Sequence, residues 1–444
     1  MKVVAVSMLL LLCSTFGFAD EYHYVDIFVG DRAAGMAGAY TAIADGPEGA
    51  YYNPAGLAFS SSAYISVSTN ALQIKEITYN DVQPFIGIET NPVDYTRRSF
   101  AFVPNFFGFL QRSDNGPTFA FTLASTDNEG FDQRNRLNFD LSNPDLSIDT
   151  IILNTNFTNT RSQNEAGPSL AWLLGERFSL GFGLFAVYED NRFITQNINR
   201  ADADGSAAEF FTVTSRYFRS QIVSAKPQLG VQFMPIPELS IGYATNFRVP
   251  LYGAYAVQSA SFSYDNTNND FDFSVTPPAV QDNVVSQLNL FTNGIFEATE
   301  WRHSLGVAWF VSRALVISAD ARVYIPIADS AGDTGTVFTW NAAAGAEWYL
   351  SPNFPLRFGL FTNHSNQPSL REYDSRDTST FTQNDHVDYY GASLSIGYTT
   401  ADSSINLGLS GSLGFGQSQI VALGPLQDVT AFTMSVFISG GYQF

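Results

Sequence analysis

The chain of 444 residues carries 42 Asp and Glu against 22 Lys and Arg, a net charge of −20 that excludes nucleic acid as a partner. Only 14% of its residues are charged while 15% are aromatic, against about 25% charged in ordinary soluble domains, so this is not the surface of a soluble enzyme. Beyond the N-terminus no apolar run reaches the roughly 20 residues of a spanning helix, which leaves a closed β-barrel as the way to cross a bilayer.

The opening "MKVVAVSMLLLLCSTFGFADE" has one Lys, an apolar run from Val3 to Leu12, and small residues Gly17 and Ala19 before Asp20. That pattern predicts a secretory signal peptide over residues 1–19, cleaved after Ala19. Cys13 is the only cysteine and lies inside it. The mature chain therefore has no disulfide, thiolate nucleophile or Cys metal ligand, and the bulk of Leu12 argues against a lipoprotein anchor at Cys13.

Residues 20–60 contain "VGDRAAGMAGAYTAIADGPEGAYYNPAGLA", which lacks strand alternation yet is apolar and rich in turns. Such a segment has no sensible place outside a barrel, so it is expected to fold back into the lumen as a plug. Gly30, Gly35 and Gly38 would permit close backbone approach, Pro47 and Pro54 would stop helices, and Asn53 would hydrogen-bond a turn backbone. Asp45 and Glu48 read as turn or cap residues of the plug.

Residues 61–444 then alternate as barrel strands do. In "RFSLGFGLFAVY" the outward set is Phe178, Leu180, Phe182, Leu184, Ala186 and Tyr188; in "RHSLGVAWFV" it is Leu305, Val307, Trp309 and Val311; in "SINLGLSGSLGF" it is Ile405, Leu407, Leu409, Leu413 and Phe415. Short turns are expected at 112–117, 174–177, 235–238, 311–314, 351–355 and 399–404. Six hairpins with a strand at each end give an antiparallel barrel of about 14 strands, an even number that returns both ends to one side. The polar stretches 73–96, 127–160, 190–210, 249–300 and 364–386 read as extracellular loops, 249–300 being long enough to hide further strands. The last stretch, "TAFTMSVFISGGYQF", puts Phe432, Met434, Val436, Ile438, Tyr442 and Phe444 on one face and ends on an aromatic residue, as expected of an outer-membrane strand. A β-sandwich also alternates, but it needs neither so many strands nor that terminus.

The stretch "RAAGMAGAYTAIADGPEGAYYNPAGLA" resembles the N-terminal hatch of the FadL-type outer-membrane transport proteins (OmpP1/FadL/TodX-like), with Asn53, Pro54 and Ala55 matching the Asn-Pro-Ala step of that hatch. The close resemblance covers about forty residues. It implies a fourteen-stranded barrel plugged by its hatch and passive, hatch-gated transport of long-chain fatty acids or other hydrophobic compounds across the cell outer membrane. Gating would fall to Asn53, Pro54, Ala55, Gly35, Gly38 and Arg32. Because secretion-associated relatives share the "NPAGLA" signature, the alternative is a barrel that serves as a scaffold or carrier for exported proteins or lipids. An ordinary porin is a third reading.

The substrate site is less specified. "FVPNFFGFL" (102–110) and "NLFTNGIFEATEW" (289–301) offer an apolar groove, although Phe106, Phe107 and Phe109 also suit a lipid-facing aromatic girdle. A fatty carboxylate would want a cation, for which Arg32, Arg302 and Arg322 are candidates, each equally suited to a lumenal carboxylate such as Asp320. Expected partners are a hydrophobic small molecule, outer-membrane lipid and lipopolysaccharide, and the barrel-assembly machinery. No cofactor or metal is expected: "DADG" (202–205) and "DNTNNDFD" (265–272) lack full calcium-loop spacing, and His23, His303, His364 and His386 form no zinc pattern. His364 beside Ser365 suggests a barrel lipase, but neighbours on a strand face opposite ways, so no enzyme is expected.

Overall fold

The computed structural model describes residues 23–24, 27–82, 93–113, 116–140, 150–202, 209–265, 270–281, 300–327, 336–372, 374, 376–377, 379, 383–420 and 424–444. The expected signal peptide, residues 203–205 and 266–269 of the two acidic stretches, and 289–299 lie outside them.

Sixteen strand segments run in chain order: β1 Tyr64–Val82, β2 Val93–Gln111, β3 Thr118–Asp140, β4 Thr150–Leu174, β5 Phe178–Asp202, β6 Glu209–Ile236, β7 Leu239–Phe247, β8 Val249–Asp265, β9 Asp270–Gln281, β10 Glu300–Ser312, β11 Leu315–Pro326, β12 Thr339–Ser351, β13 Phe354–Asn363, β14 His386–Thr399, β15 Ser403–Ser418 and β16 Gln427–Gln443. All pairings are antiparallel. Strands β7 and β8, on either side of Arg248, both pair with β6, and β9 and β10 pair in turn with β8 and β7. They are two wall positions in four pieces, so the ring has fourteen strands. It closes through β1 on β16 and through β5 on β6.

All six expected turns join consecutive strands, and the outward sets are outward. Leu180, Phe182, Leu184, Leu305, Trp309, Ile405 and Phe415 are exposed, while their neighbours Ser179, Gly181, Gly183, Ser304 and Asn406 are buried. A large exposed apolar surface on a β-sheet marks a contact with something other than water, here the hydrocarbon core.

Four of the five polar stretches read as loops are largely strand among the described residues, whereas those of 364–385 are loop as expected. Strands β3 to β6 are 23, 25, 25 and 28 residues long, more than twice the 9–11 or so that cross the hydrocarbon. Pairing continues beyond the bilayer, where both faces meet water or lumen and the apolar alternation that marks a strand disappears. Residues 73–82, 93–96, 127–140, 150–160, 190–202 and 249–265 are strand for this reason.

Candidate functional site

Residues 27–60 lie within the ring. They form a helical turn α1 (Asp31–Gly35), a second α2 (Gly49–Tyr52) and a 3-10 helix (Pro54–Phe59). Asn105 of β2 donates to the Phe28 carbonyl at 2.7 Å, Ser179 of β5 to the Ala55 carbonyl at 2.8 Å, Ser240 of β7 to the Ala42 carbonyl at 2.7 Å, and Ser393 of β14 to the Gly35 carbonyl at 2.9 Å. Partners on strands all round the barrel place the segment in the interior. Met36, Tyr40, Ala42, Ala44 and Leu57 are fully buried there.

Three cross-strand glycine pairs in the wall receive the segment. Gly181 opposite Gly230, Gly242 opposite Gly306, and Gly345 opposite Gly359 are register partners. A methyl group on Gly230 would lie 2.2 Å from Asn53 Oδ1, on Gly242 2.2 Å from the Thr41 carbonyl oxygen, and on Gly359 2.5 Å from the Met36 carbonyl carbon. Any side chain there would push the segment off the wall.

Asn53 does more than the turn bond expected of it. Its Oδ1 accepts from the Ala55 N–H at 3.1 Å, and its Nδ2 donates to the Thr41 carbonyl at 2.8 Å and to the Val231 carbonyl of β6 at 3.2 Å. One buried amide thus ties two turns of the segment together and to the wall. Pro54 and Ala55 follow it in the 3-10 helix and are also buried. Gly35 sits against Ser395 and Arg357 with no room for a side chain, and Gly38 takes the left-handed φ of 78°.

Electrostatic ties complete the seating. Arg32 pairs with Asp45 at 2.5 Å and with Glu347 of β12 at 2.9 Å, and Arg357 of β13 meets the same Glu347 at 2.6 Å. Asp320 Oδ2 on β11 accepts from the Tyr40 and Thr41 N–H groups at 3.1 and 3.0 Å and from the Thr41 hydroxyl at 2.6 Å. Arg322 pairs with Asp320 at 3.3 Å and donates to the Gly38 carbonyl. Arg302 lies over the rings of Tyr51 and Tyr324. Arg32 and Arg322 thus meet carboxylates and Arg302 meets aromatic rings.

Glu48 is enclosed by the segment itself: it accepts from the Tyr40 hydroxyl at 2.9 Å and packs against Gly30. Burial, followed by the negative charge of Asp31, pushes its carboxyl up to about 7. Tyr40 and Arg32 oppose that shift.

Among the described residues the ladder between β2 and β3 is incomplete. Strand β2 pairs with β1 from Leu110 up to Val93, and β3 pairs with β4 up to Asp140, yet β2 and β3 pair with each other only over Phe106–Gln111 and Phe119–Ala124. Above that short ladder the two strands form a seam. It is bridged by Ser99 Oγ donating to the Gly130 carbonyl at 2.5 Å and by Lys75 of β1 paired with Glu129 of β3 at 2.7 Å. Beside the seam is a cavity of about 70 Å³, bounded by Ile27, Phe28 and Ala34 of the N-terminal segment and by strands β1 to β3 and β13 to β16.

Phe106, Phe107 and Phe109 do not act as one surface. The register shift at Asn105 turns Phe106 inward, where it joins the core against the N-terminal segment, while Phe107 is exposed and Phe109 lies between Phe119 and Phe444. His364 and Ser365 follow the end of β13, so strand alternation does not separate them. They diverge all the same: His364 reaches the Trp340 carbonyl on an exposed surface and Ser365 is buried.

Sequence reasoning missed Glu347, Arg357, Ser393 and Asn406. Each is an inward polar residue on an otherwise apolar alternating strand, which is the signal that marks a lumenal contact.

These features define a closed antiparallel barrel of fourteen strands with its N-terminal segment folded inside. The particular fold is that of the FadL-type outer-membrane transporters. The Ralstonia pickettii toluene transporter TbuX aligns with a TM-score of 0.54 at 14% identity over 95% of this chain and 99% of that one. A Pseudomonas aeruginosa FadL homologue gives 0.53 at 13% identity over 95% and 100%. The P. putida toluene transporter TodX gives 0.53 at 12% over 96% and 99%. The likeness is one of fold: no protein-family model matches the chain, and no curated protein matches it in sequence.

Proposed function

We propose that the protein is a passive outer-membrane channel for small hydrophobic compounds, with residues 20–60 as its hatch and the seam between β2 and β3 as its side exit. The observation that carries this reading is the coincidence of a filled lumen with an unpaired stretch of wall beside a cavity. A solute that cannot run straight through has a lateral way out, and an apolar one gains about 0.8 kcal/mol per methylene on leaving water for lipid. The fold relatives named as toluene transporters agree with a compact apolar cargo. The cavity of about 70 Å³ is smaller than the roughly 150 Å³ that holds benzene, so any cargo requires it to widen, and a compact one requires less widening than a long-chain fatty acid. The chain is read as a non-enzyme, and its aromatic C-terminal strand as the part engaged by the barrel-assembly machinery.

The scaffold reading draws on one observation of its own: β3 to β6 stand far beyond the bilayer, as a docking surface would. Uptake of radiolabelled toluene and laurate into liposomes containing the refolded protein without residues 1–19 separates the two. Saturable toluene uptake, changed by Asn53→Ala, supports the channel; no uptake of either compound by a folded barrel sinks it in favour of the scaffold.

A further inference from the structure

The lining of the cavity beside the seam is of two kinds. Phe28, Phe361, Tyr389 and Phe437 give it aromatic walls, with Phe28 edge-on to Phe361 at 4.9 Å between ring centres. Most of the rest is made of hydrogen-bonding groups, among them Asn70, Gln73, Ser99, Asn128, Thr433 and Ser435. Its charges are compensated in place: Lys75 by Glu129 at 2.7 Å, and Asp127 by Arg161 at 2.9 Å. A lining of this kind offers no uncompensated cation to a carboxylate.

Gln73 is the informative member. Its ladder partner on β16 is Ser435, which also lines the cavity. Its Oε1 is buried and meets no hydrogen-bond donor among the described residues. A buried acceptor left in this state is unfavourable unless something donates to it. A bare hydrocarbon would leave that acceptor unsatisfied. A fatty-acid anion brings only acceptors to the same place and meets Glu129 and Asp127 on the wall.

We infer that this cavity takes a small uncharged aromatic compound bearing a hydroxyl group, its ring against Phe361 and Tyr389 and its O–H donated to Gln73 Oε1. The inference rests on the channel reading above and narrows its cargo to the phenol class. The present volume does not hold a ring, so Ile27 and Phe28 move aside as one binds. Binding at this site is thereby coupled to the N-terminal end of the hatch.

The test is calorimetric titration of the folded protein with p-cresol, toluene and benzoate at pH 7, against micelle-only controls, for wild type, Gln73→Leu and Gln73→Glu. Retained heat-modifiable migration on gels verifies that both variants are folded. p-Cresol is expected to bind wild type about tenfold more tightly than toluene, with benzoate weakest. Gln73→Leu should bring p-cresol down to the toluene level, and Gln73→Glu, which keeps an acceptor, should retain the preference. Equal binding of p-cresol and toluene, a preference that survives in Gln73→Leu, or benzoate as the tightest ligand would each overturn the inference. In those cases liposome uptake of toluene would leave the channel reading standing, whereas no binding and no uptake of any of the three would remove both.

Discussion

The N-terminal segment meets two very different sides of the barrel. Toward β5, β6, β7 and β10 to β13 it is keyed into three glycine pairs and fixed by Asn53, Asp320 and Glu347. Toward the parts of β1 to β3 above the Asn105 and Phe106 contacts it borders a cavity and a wall whose own ladder is broken. Close packing with paired polar groups resists displacement, whereas sparse contacts and unpaired backbone mark the low-stability end of a fold. The contrast predicts firmer anchoring on the first side than on the second.

Four experiments break or sharpen that contrast, the largest effect first. A disulfide between Ser99→Cys and Gly130→Cys, across the seam, should abolish solute uptake while leaving heat stability unchanged or higher, with uptake restored by reductant. Full uptake in the oxidised form would exclude the seam as an exit. Next, Asn53→Ala leaves the Thr41 and Val231 carbonyls and the Ala55 N–H without their partner, destabilising the seated hatch by about 3 kcal/mol. Protease cleavage within residues 27–60 should accelerate, with the barrel band unshifted on heat-modified gels.

A smaller effect separates the two sides directly. Gly242→Ala collides with the Thr41 carbonyl at 2.2 Å and should lower hatch stability by about 1–3 kcal/mol, whereas Gly411→Ala beside the cavity meets only the Thr433 carbonyl at 3.4 Å and should be near neutral. Equal effects in the same protease assay would erase the distinction.

The mildest test is pH. An unfolded glutamate gives up its proton near 4.5, while seated Glu48 keeps its own to about 7. The folded form binds the additional proton between those values, so hatch stability is full below about 4.5 and declines as pH rises to about 7. The groups facing Glu48 are Asp31, Arg32 and Tyr40. Glu48→Gln should flatten hatch hydrogen exchange across that window once intrinsic pH dependence is removed; an unchanged slope would assign the dependence to another group.

How much of this is legible in the chain depends on range. The outward stripes and six turns are short-range patterns, written in residues such as Leu180 and Trp309 and in steps such as Ser113 to Pro117, and they are readable. Asn53 was readable too, because its neighbours mark a turn. The strand extensions were not, since a polar ladder in water leaves no hydrophobic period. Nor were the glycine pairs: Gly181 and Gly230 are unremarkable until register sets them opposite each other. The seam depends on β2 and β3 failing to pair above Phe106, and no local pattern around Ser99 or Gly130 records that failure.

The closing contact of the ring has a kinetic meaning. Tyr64 lies opposite Gln443, so the wall cannot be completed until nearly the whole chain is available, and contacts so distant in sequence form slowly. Throughout that delay the stripes that will face hydrocarbon are exposed, and β1 and β16 remain open edges able to recruit the wrong partner. Safe assembly of this chain is therefore a race between ring closure and aggregation, and a helper that holds the last strand until the first arrives would decide it.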